Sequence, residues 1–236
     1  MIMEHVHQIN TGASNAYLIE NGDKSILIDT GNRNKAEKII KAIKNIGLEP
    51  SSIAIIVLTH AHYDHVGSLP ELKKQTGAKV IAHETDRDSL LVGFTDLPEG
   101  TSPFFRFIIN LARRFFKNHG SFDPVEPDIL IDEKYNLSEF GVNAFIQPTP
   151  GHTAGSLSFI FEGKHAFVGD TAFNIRQKSV YPPFANNEEE LIRSWKLLLD
   201  TGVQYFWPGH GKMFTREKLL KTYQKVAGEN NWEKIE

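Results

Sequence analysis

The chain has 236 residues, 40% of them hydrophobic and 23% charged, and 26 Lys and Arg stand against 29 Asp and Glu for a formal net charge of −3. That allows one sizeable core and leaves no global field to draw nucleic acid or a strongly acidic partner. Cysteine is absent, which excludes disulfides, thiolate zinc knuckles, iron–sulfur clusters and a cysteine nucleophile.

In chain order, the opening "MIMEHVHQIN" lacks the charged region, apolar stretch and cleavage site of a signal peptide, and "MEHVHQI" alternates as a strand does. No run approaches the roughly 18 apolar residues of a membrane span, so the expectation is a cytoplasmic enzyme whose residues 1–236 form a single domain. "NAYLIE" (15–20) and "KSILIDT" (24–30) predict strands joined by the hairpin signal "ENGDK". Ala36, Ile39, Ile40, Ile43 and Ile46 recur at helical spacing over 34–46, and Gly47 suits the stop. "IAIIVLT" reads as a fully buried strand, "PELKKQ" as a helix, "AKVIAH" (78–83) as a strand and 84–92 as a short helix. "DILID", "VNAFIQ", "SLSFIFE" and "HAFVGD" follow as strands. Residues 187–200 predict a helix with Asn187 and Glu190 as a capping box, then "VQYFW" a strand and 215–227 a final helix.

Two stretches rhyme. "SILIDTG", a helix, then a strand reaching His60 is matched by "AFVGDTA", a helix, then "VQYFWPGH" reaching His210. The pattern hints at two similar halves about a shared site.

"LTHAHYDHVGS" (58–68) follows the buried strand at 53–57 and places His60, His62, Asp64 and His65 within six positions. Neutral imidazole is the commonest ligand for a borderline metal such as zinc, and side chains just beyond a strand end can converge on one. Asp64 and His65 can face a second ion. Two metal sites need further ligands from equally abrupt loops. "PTPGHTAGS" offers His152, "FVGDT" offers Asp170 at a strand end where an unpaired carboxylate would be costly, and "WPGHG" offers His210. His5, His7, His83, His119 and His165 lack such settings and read as strand, loop or surface residues.

With those residues in place the sequence resembles the metallo-β-lactamase superfamily of hydrolases. The resemblance rests on H-x-H-x-D-H at His60, His62, Asp64 and His65, G-H-T-x-G-S at His152, G-D at Asp170 and G-H at His210, in the family's order across most of the chain. It implies an α/β fold, a four-layer αβ/βα sandwich with metals at one edge between two mixed sheets. By the same resemblance His60, His62 and His152 bind one metal, Asp64, His65 and His210 a second, and Asp170 bridges them. Asp29 matches the family's buried aspartate that orients the histidine-rich loop. One departure is that Gly67 is followed by Ser68, where the family often has two glycines.

The implied chemistry is metal-assisted hydrolysis by two divalent ions, zinc first and iron or manganese as alternatives. Such a pair, about 3.5–4 Å apart, holds a bridging hydroxide at neutral pH, with Asp64 or Asp170 passing the proton. The expected substrate is a small ester, thioester or lactone. An all-His/Asp β-lactamase and a phosphodiesterase stay open, and thiolate-ligated β-lactamases are excluded. Flavodiiron relatives have Glu where His62 stands. Hydroxyacylglutathione hydrolases carry a helical domain after the last ligand, where 26 residues follow His210. Nucleic-acid-processing relatives carry exosites, and no basic surplus is present. Acyl-homoserine lactonases use a tyrosine shortly after the bridging aspartate, a place held here by Phe173, with Tyr181 as the substitute. Two rivals differ in class. A mononuclear iron persulfide dioxygenase would use His60, His152 and Asp170 and leave the second site empty. A non-catalytic metal-binding protein usually loses ligands, and none is lost.

The motif does not require residues 93–128, which predict a helical insertion. "SPFFRFIINLARRFFKNHG" (102–120) reads as a helix with Ser102 at its N-cap and Pro103 at its first position. Arg106, Asn110, Arg113 and Lys117 form a polar stripe, and Phe104, Phe105, Ile108, Leu111, Phe115 and Phe116 a wide apolar face. The helix is expected to pack on the sandwich, to cap the site, or to contact a second copy or a membrane surface. As a cap it would turn the apolar face, with Phe105 and Phe115, toward an apolar part of the substrate and the basic stripe toward solvent.

Overall fold

The computed structural model describes residues 5–115, 120–175 and 179–230. Phe116, Lys117 and His119 lie outside the described residues.

Twelve strands make two mixed sheets of six. In the first, β1 (Val6–Asn10), β2 (Asn15–Ile19) and β3 (Ser25–Ile28) run antiparallel. β4 (Ile53–Val57), β5 (Lys79–His83) and β6 (Ile129–Ile131) extend the sheet in parallel from β3. The sequence "IAIIV" of β4 is continuously apolar because a central parallel strand is covered on both faces. The second sheet has the order β12–β11–β10–β9–β8–β7. It comprises β7 (Tyr135–Asn136), β8 (Ala144–Pro148), β9 (Leu157–Phe161), β10 (His165–Asn174), β11 (Tyr205–Gly211) and β12 (Phe214–Thr215). Only β10 and β11 pair in parallel there.

The inner faces of the sheets meet in one core, where Tyr17, Ile28, Val57 and Ile81 of the first pack on Ile146, Phe159, Phe167 and Trp207 of the second. Outside the first sheet lie α1 (Ala36–Asn45), α3 (Leu69–Thr76) and α4 (Arg87–Val92); outside the second lie α6 (Glu188–Asp200) and α7 (Arg216–Glu229). The result is the expected α/β sandwich of four layers. The buried stripe of α1 is Ala36, Ile39, Ile40 and Ile43. At the start of α6, the Asn187 side chain accepts the Glu190 N–H at 3.1 Å, and three glutamates occupy the first turn, where the helix dipole favours them.

The two rhyming stretches become β3–α1–β4 and β10–α6–β11, each a pair of adjacent parallel strands joined through a helix. Short elements escaped the sequence pattern: β7 and β12, of two residues each, and the single turn α2 (Tyr63–Val66). The inserted helix α5 spans Pro103–Phe115, with the Ser102 hydroxyl accepting the Phe105 N–H at 3.4 Å. Among the described residues, no helix is long and apolar enough to cross a membrane.

Candidate metal centre

The centre forms beyond the ends of β4 and β8, near the end of β11 and inside β10; Asp170, expected at a strand end, sits mid-strand because β10 runs on past an irregularity at Gly169 to Asn174. The chain leaves β4 through His60 and His62, and α2 starts directly after His62, so one tight turn presents Asp64 and His65. Thr30, just past β3, fixes that turn, its N–H and hydroxyl both donating to the His65 carbonyl at 2.7 and 2.8 Å. From the other half, His152 sits in the β8–β9 turn, Asp170 in β10 and His210 in β11. The β10–β11 register shifts on both sides of Gly169. The structure thus brings together all seven residues that the sequence singled out, every one of them buried except His210, which is partly so.

Ligand atoms of His60, His62 and His152 lie within 4.8 Å of one another, as do those of His60, His65 and Asp170, and those of Asp64, His65 and His210. His62 Nδ1 and His152 Nε2 are 3.0 Å apart. Asp170 reaches in two directions: its Oδ1 is 3.3 Å from His65 Nε2, and its Oδ2 is 3.2 Å from His210 Nε2 and 3.6 Å from His152 Nε2. Asp64 Oδ2 is 3.4 Å from His210 Nε2.

Outer partners fix the tautomers. His152 Nδ1 donates to the Phe184 carbonyl at 2.9 Å and His210 Nδ1 to the Ala13 carbonyl at 2.8 Å, leaving both Nε2 lone pairs pointing inward. Asp29, just beyond β3 and buried, accepts from the Thr59 N–H at 2.8 Å, the Thr59 hydroxyl at 2.7 Å and His65 Nδ1 at 2.7 Å. Because the Thr59 proton goes to Asp29, Thr59 Oγ1 accepts from His60 Nδ1 at 3.1 Å. One carboxylate therefore turns the Nε2 atoms of two histidines toward the centre.

The donors fit cations. Acceptor faces acceptor across distances that suit a shared positive charge, and His60 Nε2, His62 Nε2, His65 Nε2 and Asp170 Oδ1 are buried with no hydrogen-bond partner. Such orphans are expensive unless an ion satisfies them. The electrostatics divide the set. Burial holds His60 well below the usual imidazole range and His62 at about 3, which leaves neutral nitrogen ligands. On the other side burial opposes charge, yet Asp170 and Asp64 outweigh it and raise His210 to about 10. Burial likewise opposes the Asp170 carboxylate, and His210 and His65 keep it well below its ordinary value. A proton there stands where a cation would.

A cavity of about 760 Å³ opens on His62, Asp64, His152, Asp170 and His210 and runs to α5. Phe173 lines it, stacked on the His210 ring at 4.6 Å, and Tyr181 lines it with its hydroxyl donated to Glu188. Phe105 lines it too, against Phe184 at 5.3 Å. Phe115 does not, and the wide apolar face is not turned inward as the cap expectation had it. Phe104, Phe107 and Phe115 are 66%, 65% and 67% exposed, while Phe105, Ile109 and Ala112 form the stripe facing the body. One helix can press only a narrow stripe onto its support, and periodicity does not say which. The described part of the polar stripe, Arg106, Asn110 and Arg113, is exposed as expected, and its two arginines are also paired. Arg106 pairs with Glu188 at 3.6 Å, and Arg113 pairs with Glu99 at 2.7 Å and donates to the Leu97 carbonyl at 2.6 Å.

Two supporting residues, Thr59 and Asp86, went unread in the sequence. Thr59 relays Asp29 to His60. Asp86 accepts the Ala61 N–H between the two metal-facing histidines, and burial raises its carboxyl to about 7 against that bond. Gly209 must be glycine because a Cβ would come within 2.3 Å of Asp170 Oδ1 and 2.6 Å of His65 Cε1. The other described histidines lie apart: His7 is in β1, His83 ends β5, and His165 in β10 accepts from the Trp207 indole at 3.2 Å.

The family model described as "Metallo-beta-lactamase superfamily" matches residues 9–210. The uncharacterized protein YobT of Bacillus subtilis (strain 168) is 31% identical over 228 residues, which is 90% of either chain. The hydroxyacylglutathione hydrolase GloC of Haemophilus influenzae is 32% identical over 162 residues, 67% of this chain and 66% of that one. Among solved structures, the BLEG-1 B3 metallo-β-lactamase superposes with a TM-score of 0.72 at 22% identity, covering 94% of this chain and all (100%) of that one. At that identity the likeness speaks for the fold.

Proposed function

The chain belongs to the metallo-β-lactamase superfamily and is a metallo-hydrolase, and on that premise we propose that it cleaves a small thioester, ester or lactone at a two-cation centre, with zinc as the metal. The observation that carries this reading is the buried array of acceptors facing one another at the head of an apolar cavity. His60, His62 and His152 would hold one cation through three nitrogens, a donor set that suits zinc and leaves a position open. Asp64, His65 and His210 would hold the other, with Asp170 reaching both. Divalent cations so bound supply Lewis acidity and acidify a water.

The chain's own residues do the rest. Asp64 lines the cavity, where its carboxylate can take a proton from the attacking water and return it to the departing sulfur or oxygen. Asp29 and Thr59 hold the Nδ1 sides of His65 and His60, so that their Nε2 atoms face the centre. Phe173 and the wall beyond it exclude bulk water from the reacting carbonyl. A relative named hydroxyacylglutathione hydrolase supports thioesters within this set. A mononuclear iron centre is disfavoured because the second donor set is complete.

The test is purified, metal-analysed protein assayed on thioester, ester, lactone, β-lactam and phosphodiester panels. Two zinc ions per chain and turnover of an acyl substrate are expected. Iron as a single tightly held ion, or turnover restricted to β-lactams or phosphodiesters, would overturn the reading.

A further inference from the structure

The cavity has two unlike ends. One end is the donor cluster; the other is a wall of Leu97, Phe105, Ile108, Ile109, Ala112 and Phe184. Its size, about 760 Å³, is that of a site for a small organic molecule. Four of those six residues belong to α5, where Ile109 is fully buried and Phe105 and Ala112 are half-buried against the body. Polar contacts at its rim add to that seat. Arg106 donates to the Gly100 carbonyl at 2.9 Å and pairs with Glu188, while Arg113 grips Glu99 and Leu97. Glu188 also accepts from the Tyr181 hydroxyl on the adjoining wall. Phe105, Ile108 and Ala112 are consequently held facing the cavity with apolar surface still accessible. A helix pinned by ion pairs so that its hydrocarbon fronts a void is a surface that an occupant completes.

We infer that this wall is a subsite for an unbranched, uncharged acyl chain, and that the scissile carbonyl of an acyl thioester or ester sits at the donor cluster while its chain runs along α5. The inference rests on the reading of the centre as an acyl hydrolase, and it narrows the substrate class. Among the described residues the wall carries no Lys or Arg to meet a carboxylate. Arg176 and Lys178 lie outside the described residues.

Two readouts on the purified, metal-loaded protein separate the subsite from the chemistry. The first is kcat/KM for neutral S-acyl thioesters from acetyl to dodecanoyl. The second is calorimetric binding of unreactive 1-alkanols over the same lengths. Each added methylene should raise kcat/KM and tighten alkanol binding about fourfold until the cavity is filled, and an acyl thioester ending in a carboxylate should be turned over less efficiently than the neutral one of equal length. Ala112→Phe, which fills the wall, and Ile108→Asp, which charges it, should both collapse the long-to-short ratio, whereas Phe115→Ser on the outer face should preserve it. A flat response to chain length, or an increment untouched by both wall variants, would overturn the subsite even with thioesters cleaved. A carboxylate-ended acyl thioester turned over as efficiently as its neutral counterpart would overturn the uncharged character of the wall. If alkanols show the increment and no acyl substrate is cleaved, the subsite stands and the acyl-hydrolase reading falls.

Discussion

Replacing Asp29 by Asn exchanges a single oxygen for an amide nitrogen and should still weaken binding of both cations. The backbone allows it, because Asp29 sits at a φ of 58°, a left-handed conformation that Asn adopts readily. In the native chain Oδ1 takes the Thr59 N–H, and Oδ2 takes both the Thr59 hydroxyl and His65 Nδ1. The new side chain keeps its oxygen on the Thr59 N–H, so its NH₂ faces Thr59 Oγ1 and His65 Nδ1. His65 Nδ1 must then accept, and its proton moves to Nε2, the atom 3.3 Å from Asp170. The Thr59 hydroxyl is released to donate to His60 Nδ1, which sends that proton to Nε2 as well. Each cation loses one ligand nitrogen to a proton. Disturbing such an outer partner typically costs about 10–100-fold in metal affinity, equivalent to about 1.4–2.8 kcal/mol per ion. Chelator-competition titration measures the affinities, and nitrogen-resolved NMR of the zinc-loaded chain reports which imidazole nitrogen carries the proton. Asp29→Asn binding metal with native affinity, with the His65 proton still on Nδ1, would refute the relay.

Removing Asp170 as Ala deletes the one carboxylate that faces His65, His152 and His210 together, so metal analysis should show an ion lost and activity should fall by several orders of magnitude. His165→Ala should leave metal content intact but expose a cost in thermal unfolding of about 1–3 kcal/mol, because the buried Trp207 N–H loses its acceptor. Without metal, His210 is held charged up to about pH 10 against an ordinary 6.5. A raised imidazole stabilises the fold fully below about pH 6.5 and loses that contribution as pH climbs toward about 10. Melting temperatures of the metal-free chain should decline across that window, and saturating zinc should flatten the decline.

The ligands were legible because His60, His62, His152 and His210 stand at or just past the ends of apolar strands with glycines or a tight turn alongside, and Asp170 follows Gly169 inside an apolar strand where a carboxylate is out of place. Asp29 was legible only by its match to the pattern, since an aspartate ending a strand has many uses. Thr59 and Asp86 were not legible, because one hydroxyl and one carboxylate carry no periodic signal, and their roles exist only once loops from both halves meet. The helix over 103–115 was legible as an element, and which of its apolar residues face inward was not. Its sequence gives an apolar arc wider than any one contact, and Phe105, Ile109 and Ala112 become the inner stripe only once the helix is docked, with Arg106 and Arg113 reaching Glu188 and Glu99. Arginine side chains reach across such a geometry in ways that spacing along a helix does not report.

His60, His62, Asp64 and His65 come from the first sheet's half and His152, Asp170 and His210 from the second. Between the halves the chain crosses once at the described residues 132–134, an exposed connection from β6 to β7. The cations are thus clasps between two layers that the chain itself joins by a single thread. Any free energy of binding is free energy of docking one half onto the other, about 2.7 kcal/mol at a hundredfold excess over Kd. Severed at Glu133, the two fragments should stay together through the core their sheets share, and zinc should raise the temperature at which they part, so that the metal centre adds a second fastening to a seam already made of hydrocarbon.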